Sequence, residues 1–447
     1  MPRIKFKDVN KMTKIGARKW FVFVLIGLVG QFAWTLENMY FNVFLYNTIS
    51  QDTSYIATMV AASAITATLT TLLMGVLSDR IGKRKPFICG GYIIWGIITG
   101  LFGFITVENI TTLFAGATVA TAAMMVVIMD CLMTFFGSTA NDAAFNAYVT
   151  DTTDTSNRGK AESVLAIMPL VSMLIIFGLF AGLADAGNWK LFFLIFGTAV
   201  TITGIISIFL IKDSRPEKQK GGIKNLLYGF TPSVIKSNSK LYLALCSLGI
   251  FSIAVQVFFP YLIIYMEHTL KIDYTLALGS VLIFASLVSV LSGRIIDKVG
   301  KLKFSVPAIF IMALGLVAMF FVARVDFIAV ELQVMIAGAV MMSGYMLVSA
   351  ALGAVVRDYT PDGKAGHFQG IRMIFAVMLP MVTGPYIGSL VIKLTSSTGE
   401  TYEELGSVKE VPTGWIYLAA AAVLILTLIP LIALIKKEKN EKEPIHE

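Results

Sequence analysis

Long apolar segments recur along the whole chain, and this pattern restricts the fold more than any other feature. The 447 residues are 56% hydrophobic and 14% charged, whereas about a quarter of the residues in soluble domains are charged. Each apolar run is about twenty residues long, which is enough to cross a hydrocarbon layer of ~30 Å as a helix. A helix also satisfies its own backbone hydrogen bonds in lipid. The pattern predicts an all-α membrane protein.

Twelve spans are predicted, in two groups of six. They cover approximately residues 20–47, 55–78, 86–107, 113–150, 162–184, 189–211, 241–266, 274–295, 304–323, 332–356, 369–393 and 414–435. A basic stretch broken by Pro and Gly separates the groups, so we expect a first domain at 1–211, a linker at 212–240 and a second domain at 241–447. The fourth span is too long for one simple crossing. We expect its Ala/Thr-rich part, 115–123, to be a tilted or extramembrane extension.

The basic residues predict the orientation in the membrane. Of the 36 lysines and arginines, thirty lie on one side of the predicted spans, five lie on the other, and Arg372 lies within a span. Because basic loops stay in the cytoplasm, both termini are predicted to be cytoplasmic and the protein to lie in the plasma membrane. This distribution explains the net charge of +8 without nucleic acid. The first apolar run is too long for the core of a cleavable signal.

An eleven-residue loop motif occurs twice, 218 positions apart. The repeated positions are Gly75, Asp79, Arg80, Gly82 and Arg84 in the first copy, and Gly293, Asp297, Lys298 and Gly300 in the second, where Leu302 replaces the arginine. We expect the glycines to permit close helix approach and a tight turn. Asp79 is predicted to cap a helix N-terminus or to pair with an arginine, forming a conformational latch. In a simpler interpretation, the basic residues only anchor the topology.

A second pair of loops supports an internal duplication. One loop contains Asp151 and Asp154 followed by residues 159–161. It resembles a later loop that contains Asp358 and Asp362 followed by residues 363–365. The doubled loop motif resembles the signature of the major facilitator superfamily. That resemblance implies two pseudo-symmetric six-helix bundles around a central cavity that opens alternately to each side of the membrane.

Finer resemblances point to one group within that superfamily. The stretches 31–37, 138–151, 366–370 and 379–381 are similar to parts of the glycoside–pentoside–hexuronide:cation symporters and sucrose–proton symporters. This resemblance implies transport of a sugar or glycoside together with a cation. Melibiose-type members carry two acids in helix 2, whereas residues 66–75 here contain no carboxylate. We therefore expect H⁺ as the coupling ion in preference to Na⁺.

Ionisable residues inside a bilayer are costly and usually mark a transport pathway. Glu37, Asp142 and Arg372 are the predicted proton-coupling residues, and Asp130 is a further candidate. In the alternative interpretation, these carboxyls bond neighbouring helices. If Asp142 pairs with Arg372, the carboxylate stays ionised and cannot carry the proton.

The substrate site is predicted from polar faces of the helices. At 100° per residue, the polar residues of span 1 fall within about 60° of one another, and those of span 4 do likewise. The resemblance implies that helices 1, 4, 7 and 10 line the cavity. The substrate-binding candidates are Gln31, Trp34, Asn38, Asn141, Gln256 and Tyr345. Amides and an aromatic ring suit a sugar, although amides also hold membrane helices together.

Other classes of function receive less support from the residues. The three cysteines are scattered through apolar runs and the three histidines are far apart, so neither a metal site nor a disulfide framework is expected. No nucleophile motif or phosphate-binding loop is present, and we expect no enzyme activity and no cofactor. The leading hypothesis is a monomeric, proton-coupled sugar importer. The alternatives are a carrier for a drug, lipid or nucleoside in either direction, and a receptor or scaffold.

Overall fold

A computed structural model describes most of the chain. The described residues are 15–114, 116–153, 157–212, 228–325, 328–361, 365–396, 401–402 and 407–442. Most of the predicted linker, together with Asp154 and Asp362 of the second loop pair, lies outside them.

The described chain is almost entirely helical. We label the helices α1 (Ala17–Thr48), α2 (Thr53–Ile81), α3 (Lys85–Phe104), α4 (Val119–Thr152), α5 (Arg158–Leu179), α6 (Trp189–Leu210), α7 (Ser239–Leu270), α8 (Tyr274–Val299), α9 (Lys301–Phe321), α10 (Val330–Tyr359), α11 (Gly370–Thr395) and α12 (Trp415–Glu441). Eleven helices among the described residues are long and apolar enough to cross a bilayer, and α5, with its apolar part at Ser163–Leu179, is the remaining predicted span. The prediction of an all-α membrane protein is confirmed. Between α11 and α12, two-residue strands at Thr401–Tyr402 and Ser407–Val408 pair antiparallel.

The predicted start of the fourth span at residue 113 is wrong. A short helix, Val107–Leu113, ends there, and α4 begins only at Val119. Thr118 explains this start, because its side chain accepts from the backbone of Thr121 while the Thr121 side chain accepts from the backbone of Thr118. Such a capping box fixes a helix N-terminus. The described part of the Ala/Thr-rich stretch, 116–123, is therefore a loop followed by the first turn of α4.

Glycines bring the backbones of α3 and α6 into direct contact. A Cβ atom added to Gly96 would lie 2.4 Å from the backbone nitrogen of Thr201, and one added to Gly197 would lie 2.5 Å from that of Gly100. The second half uses the same device, since a Cβ on Gly315 would lie 2.2 Å from the nitrogen of Met341. Small residues at such contacts allow the van der Waals packing that holds membrane helices together.

Four spanning helices widen locally into π-helix. These segments are Leu36–Tyr40 in α1, Ser138–Phe145 in α4, Tyr265–Leu270 in α7 and Ile374–Met378 in α11. A π-turn inserts an extra residue and re-aims the side chains around it, and it is frequent at functional sites. Two of these segments contain the predicted site residues Glu37, Asn38, Asn141 and Asp142.

We predict that Gly96→Ala destabilises the protein and Gly90→Ala does not. The first substitution forces α3 away from α6, which should cost roughly 1–3 kcal/mol as overpacking. Gly90 lies on the same helix with no atom within 4 Å of an added Cβ. Thermal denaturation of the two purified variants measures the difference, and equal Tm values would contradict the packing described for α3 and α6.

Candidate transport site

Polar contacts join the two halves at one end of the helices. We call this end, which carries Asp52, the opposite face, and the end that carries Gly82 and Gly300 the loop-motif face. Thr53 donates to Glu410 Oε2 from its backbone nitrogen at 2.9 Å and from its hydroxyl at 2.6 Å. Lys393 contacts Asp52 at 3.2 Å and Glu410 at 3.5 Å. One cation and two carboxylates therefore bridge α2 of the first half to the second half.

Further bonds extend this closure across the opposite face. Asn47 in α1 donates to Glu267 Oε2 at 3.3 Å and lies 2.8 Å from the ring nitrogen Nε2 of His268, both in α7. Tyr274 at the start of α8 donates to Asp185 at 3.0 Å. Helices of both halves are thus hydrogen-bonded together at this face.

On the loop-motif face, ion pairs are formed within each half. Arg84 is only 4% exposed and contacts Asp79 at 2.5 Å and Asp151, at the end of α4, at 3.0 Å. In the second half, Lys301 at the start of α9 contacts Asp358 at the end of α10 at 2.7 Å. The two repeated sequence motifs of each half therefore meet in space. Lys301 corresponds in the repeat to Lys83, not to Arg84, so the partner shifts by one residue.

The glycines of the repeated motif have different roles. Gly82 and Gly300 occupy the same position in the two copies and have φ angles of 68° and 88°, which only glycine adopts readily. The expectation of close helix approach at Gly75 is wrong, because no atom lies within 4 Å of an added Cβ there. Arg80 and Lys298 are exposed at helix ends.

The second copy of the motif is only partly described. Gly293 lies within α8. The side chain of Asp297 lies outside the described residues.

A cavity of about 310 Å³ lies between the two halves. Its lining comes from α1 and α5 on one side and from α7, α8, α9 and α10 on the other. Seven of the lining residues are methionines: Met39, Met173, Met266, Met319, Met341, Met342 and Met346. Among the described lining residues, Gln256 and Tyr345 are the polar ones. Two predicted substrate residues therefore line this cavity.

Three of the other predicted substrate residues make contacts within the first half. The Trp34 ring packs on Trp95 with centroids 4.9 Å apart, and Asn38 donates to the Trp34 carbonyl at 2.7 Å. Asn141 donates to the hydroxyl of Tyr92 at 2.6 Å. Residues of α4 are absent from the described lining of the cavity, and so are the candidates of α1. The substrate-binding candidates outside this lining are thus Gln31, Trp34 and Asn38 of α1 and Asn141 of α4.

Two buried carboxyls lie together between α1, α2 and α4. Glu37 is 6% exposed and Asp130 is 1% exposed, and Ser63 of α2 lies beside both. Thr134 donates to Glu37 Oε1 at 3.0 Å. The other Glu37 oxygen and both Asp130 oxygens have no hydrogen-bond partner among the described residues. Asp130 and Thr134 are four residues apart and therefore share one face of α4, but no sequence signal predicted that Asp130 pairs with Glu37.

Asp142 and Arg372 lie apart in different surroundings. Asp142 accepts from Ser138 at 3.0 Å. Arg372 lines a separate cavity in the second half together with Arg357. No ion pair within the described part of the chain joins Asp142 to Arg372.

Comparison with known proteins assigns the family. The family model of the Major Facilitator Superfamily matches residues 23–385 and 274–447. The chain belongs to the Major Facilitator Superfamily. As a member of this superfamily it is a transporter and an integral membrane protein that crosses the bilayer many times. Its role is therefore that of a carrier and not of an enzyme. No curated protein sequence matches the chain.

Solved structures of other transporters share the fold. A variant of the nucleoside transporter NupG superposes with a TM-score of 0.71 and 11% identity, over 93% of this chain and 99% of that chain. A bacterial homolog of the human lysosomal transporter Spinster, in an inward-facing and unoccupied conformation, gives a TM-score of 0.67 and 12% identity, over 96% of this chain and 100% of that chain. These likenesses establish the major facilitator fold.

Asp52 is a titratable group of the opposite-face network outside the spanning helices. Burial would raise the pKa of its carboxyl, but hydrogen bonds from Ser54 and the positive charge of Lys393 outweigh that effect and hold the pKa below its usual value. The stabilisation from Asp52 is therefore complete above its ordinary pKa and is lost as the pH falls through the lowered one.

We predict that Lys393→Gln opens the opposite face. The substitution removes the cation between Asp52 and Glu410, and because Lys393 is partly exposed the loss should be under about 1 kcal/mol, or about fivefold in population. Double electron–electron resonance between spin labels at Glu108 and Arg324, one in each half, reports the separation. Lys190→Gln is the matched control, since Lys190 lies over the Phe104 ring within the first half. An unchanged distance distribution in Lys393→Gln would contradict this account.

The pH dependence of Asp52→Asn provides a second check on the network. We expect the separation in this variant to differ from that in the wild type between about pH 7.5 and about pH 5, where Asp52 stays ionised. The difference should begin to shrink near about pH 4, the ordinary pKa of an aspartate, and should vanish only below the lowered pKa of Asp52. The same spin-label pair measures both proteins. A difference that disappears already near neutral pH would show that Asp52 is not held ionised by Lys393 and Ser54.

Proposed function

We propose that this carrier transports a small organic molecule with a large apolar surface, bound between the two halves and coupled to protons. The supporting observation is the cavity of about 310 Å³ between the halves, whose lining is methionine-rich. That volume falls at the lower end of typical ligand pockets. Methionine side chains are flexible and polarisable, so they adapt to apolar ligands of varied shape.

A sugar would fit this lining poorly. Each hydroxyl of a sugar needs a hydrogen-bond partner when it leaves water. The described lining offers only Gln256 and Tyr345, while Asn38 and Asn141 already donate to partners in the first half. Sugar–proton symport therefore stays a prediction from sequence resemblance. Within the alternative class of drugs, lipids and nucleosides, the apolar lining best supports drugs and lipids.

The buried pair Glu37 and Asp130 is the proposed proton site. Two ionised carboxylates without a cation are costly in a buried site, and a proton held between them removes one of the charges. Ser63 donates its own proton to the Val60 carbonyl at 3.2 Å, so its oxygen is available to accept from a protonated carboxyl. The proton is thus held between α1, α2 and α4.

The π-helix of α1 connects this pair to the cavity. Glu37 and Met39 both lie in the segment Leu36–Tyr40, and Met39 lines the cavity. Loading or releasing the proton changes the charge on one side of this segment, and substrate contacts the other side. We propose that this segment changes between two arrangements, each favoured by one state of the proton site, and so couples the two sites.

The proposed coupling ion is H⁺. Position 66 and position 71 of α2 carry threonines, and no carboxylate stands between residues 66 and 75, so a cation site like that of the melibiose-type symporters lacks its acids.

We propose that the carrier acts as a monomer in the plasma membrane.

Substrate class is tested by ligand-induced stabilisation of the purified protein. We expect apolar and amphipathic organic molecules to raise the Tm, and disaccharides and glycosides not to. Met342→Trp places a large ring in the cavity lining and should abolish the stabilisation. Stabilisation by sugars alone, unaffected by Met342→Trp, would overturn the proposal.

Proton coupling is tested in vesicles with an imposed pH gradient. We predict that Glu37→Gln and Asp130→Asn each abolish proton-driven accumulation of a stabilising ligand while retaining exchange of internal for external ligand. Each substitution replaces a carboxyl that binds and releases a proton by an uncharged amide that cannot. The control Glu108→Gln changes an exposed acid outside the spans and should behave as the wild type. Undiminished proton-driven accumulation in both test variants would eliminate this pair as the proton site.

A further inference from the structure

A second cavity of about 450 Å³ adjoins the methionine-rich one. It lies within the second half, between α7, α10 and α11. Val255, Gln256 and Tyr345 line both cavities. The two cavities are therefore neighbours that meet at these three residues.

The chemistry of the second cavity is cationic. Arg357 of α10 and Arg372 of α11 line it, and its described lining includes no carboxylate. Neither guanidinium forms an ion pair with another described residue.

Neighbouring acids are occupied elsewhere. Asp358 follows Arg357 in the chain but pairs with Lys301 at 2.7 Å. Asp142 accepts from Ser138 in the first half. Two adjacent arginines without a described counter-ion form an electrostatic site that a negatively charged ligand would stabilise.

Aromatic rings mark the junction of the two cavities. Tyr345 stacks on Phe251 with ring centroids 5.8 Å apart and planes 22° apart, and Phe251 also lines the second cavity. The π-helix Ile374–Met378 of α11 places Ala376 and Val377 in the same lining, one turn after Arg372. A ligand at the junction would therefore contact flat or small side chains between an apolar chamber and a cationic one.

We propose that the substrate is an amphipathic organic anion. Its apolar body occupies the methionine-rich cavity, and its carboxylate, phosphate or sulfonate group lies at Arg357 and Arg372. Guanidinium groups bind such oxyanions through charge-assisted and often bidentate hydrogen bonds. This inference rests on the proposed function, because it takes the methionine-rich cavity as the substrate site.

Three probes that share the same apolar rings and differ in their headgroup measure what the headgroup contributes to binding. They are 2-naphthyl phosphate, neutral 2-naphthol and cationic 2-naphthylmethylamine, measured by calorimetry on the full chain in phosphatidylcholine nanodiscs. We expect the phosphate to bind at least about tenfold more tightly than 2-naphthol, which corresponds to one charge-assisted contact. If phosphatidylglycerol in the disc competes with 2-naphthyl phosphate, the anion that the site binds is a lipid. If phosphatidylglycerol does not compete, the anion comes from the aqueous phase.

Matched variants assign the effect to residues. Arg357→Gln and Arg372→Gln should each weaken binding of 2-naphthyl phosphate about tenfold and leave 2-naphthol within twofold, while Arg372→Lys should retain part of the preference. Arg324→Gln is the control, because Arg324 lies over the Phe320 ring at the opposite face. Met342→Trp should weaken all three probes.

The outcomes distinguish this inference from the function on which it rests. If all three probes bind equally and Met342→Trp removes them, the apolar site stands and the anion site is refuted. If no probe binds, or if Met342→Trp changes nothing, the proposed function itself fails. Equal weakening of phosphate and naphthol by the arginine variants, with an unchanged Tm, would also contradict an anion site.

Discussion

The polar contacts between the two halves at the opposite face constrain the rest of the structure. Thr53 donates a hydrogen bond to Glu410, and Lys393 contacts both Glu410 and Asp52. These contacts hold α2 of the first half against the second half at that end. Separation of the two halves at this face therefore requires these contacts to break. The ion pairs of the loop-motif face, Arg84 with Asp79 and Lys301 with Asp358, brace each half separately. The halves can therefore separate at that face without breaking them.

A second constraint, the hydrocarbon around the spanning helices, explains where charged side chains are tolerated. Hydrocarbon offers no partner to a charge, so acids and bases lie between helices or in cavities. Glu37 and Asp130 are buried together among α1, α2 and α4, whereas Arg357 and Arg372 line a cavity. The first arrangement suits a proton and the second suits an anion. The proposed proton site is thus in the first half and the proposed anion site in the second, and the methionine-rich cavity proposed for the apolar body of the substrate lies between the halves.

Much of the fold could be predicted from the sequence because its causes are local. The apolar runs predict the spans, and the positive φ of Gly82 and Gly300 is the reason that both copies of the motif need glycine there. The start of α4 was missed because the cap formed by Thr118 and Thr121 lies inside an Ala/Thr-rich run. Close approach was expected at Gly75, but it occurs at Gly96 and Gly197 instead. These contacts could not be predicted, because the face of a helix that contacts a neighbouring helix is determined by the tertiary structure.

The site was harder to predict than the fold. Polar residues were the sequence signal for a substrate site, yet Asn38 and Asn141 donate to partners within their own half. Most of the cavity lining is apolar and gives no polar signal in the sequence, and its methionines are spread over five helices. The π-helical segments also depend on packing, and they change which side chains of α1 and α4 share a face. Fixed 100° steps cannot reproduce that change.

A cryo-electron microscopy structure of the full chain with bound 2-naphthyl phosphate tests the central claim most directly. The account predicts density for the rings beside Met342 and Tyr345, with the phosphate next to Arg357 and Arg372. Density for the ligand among Trp34, Asn38 and Asn141 in the first half would contradict it.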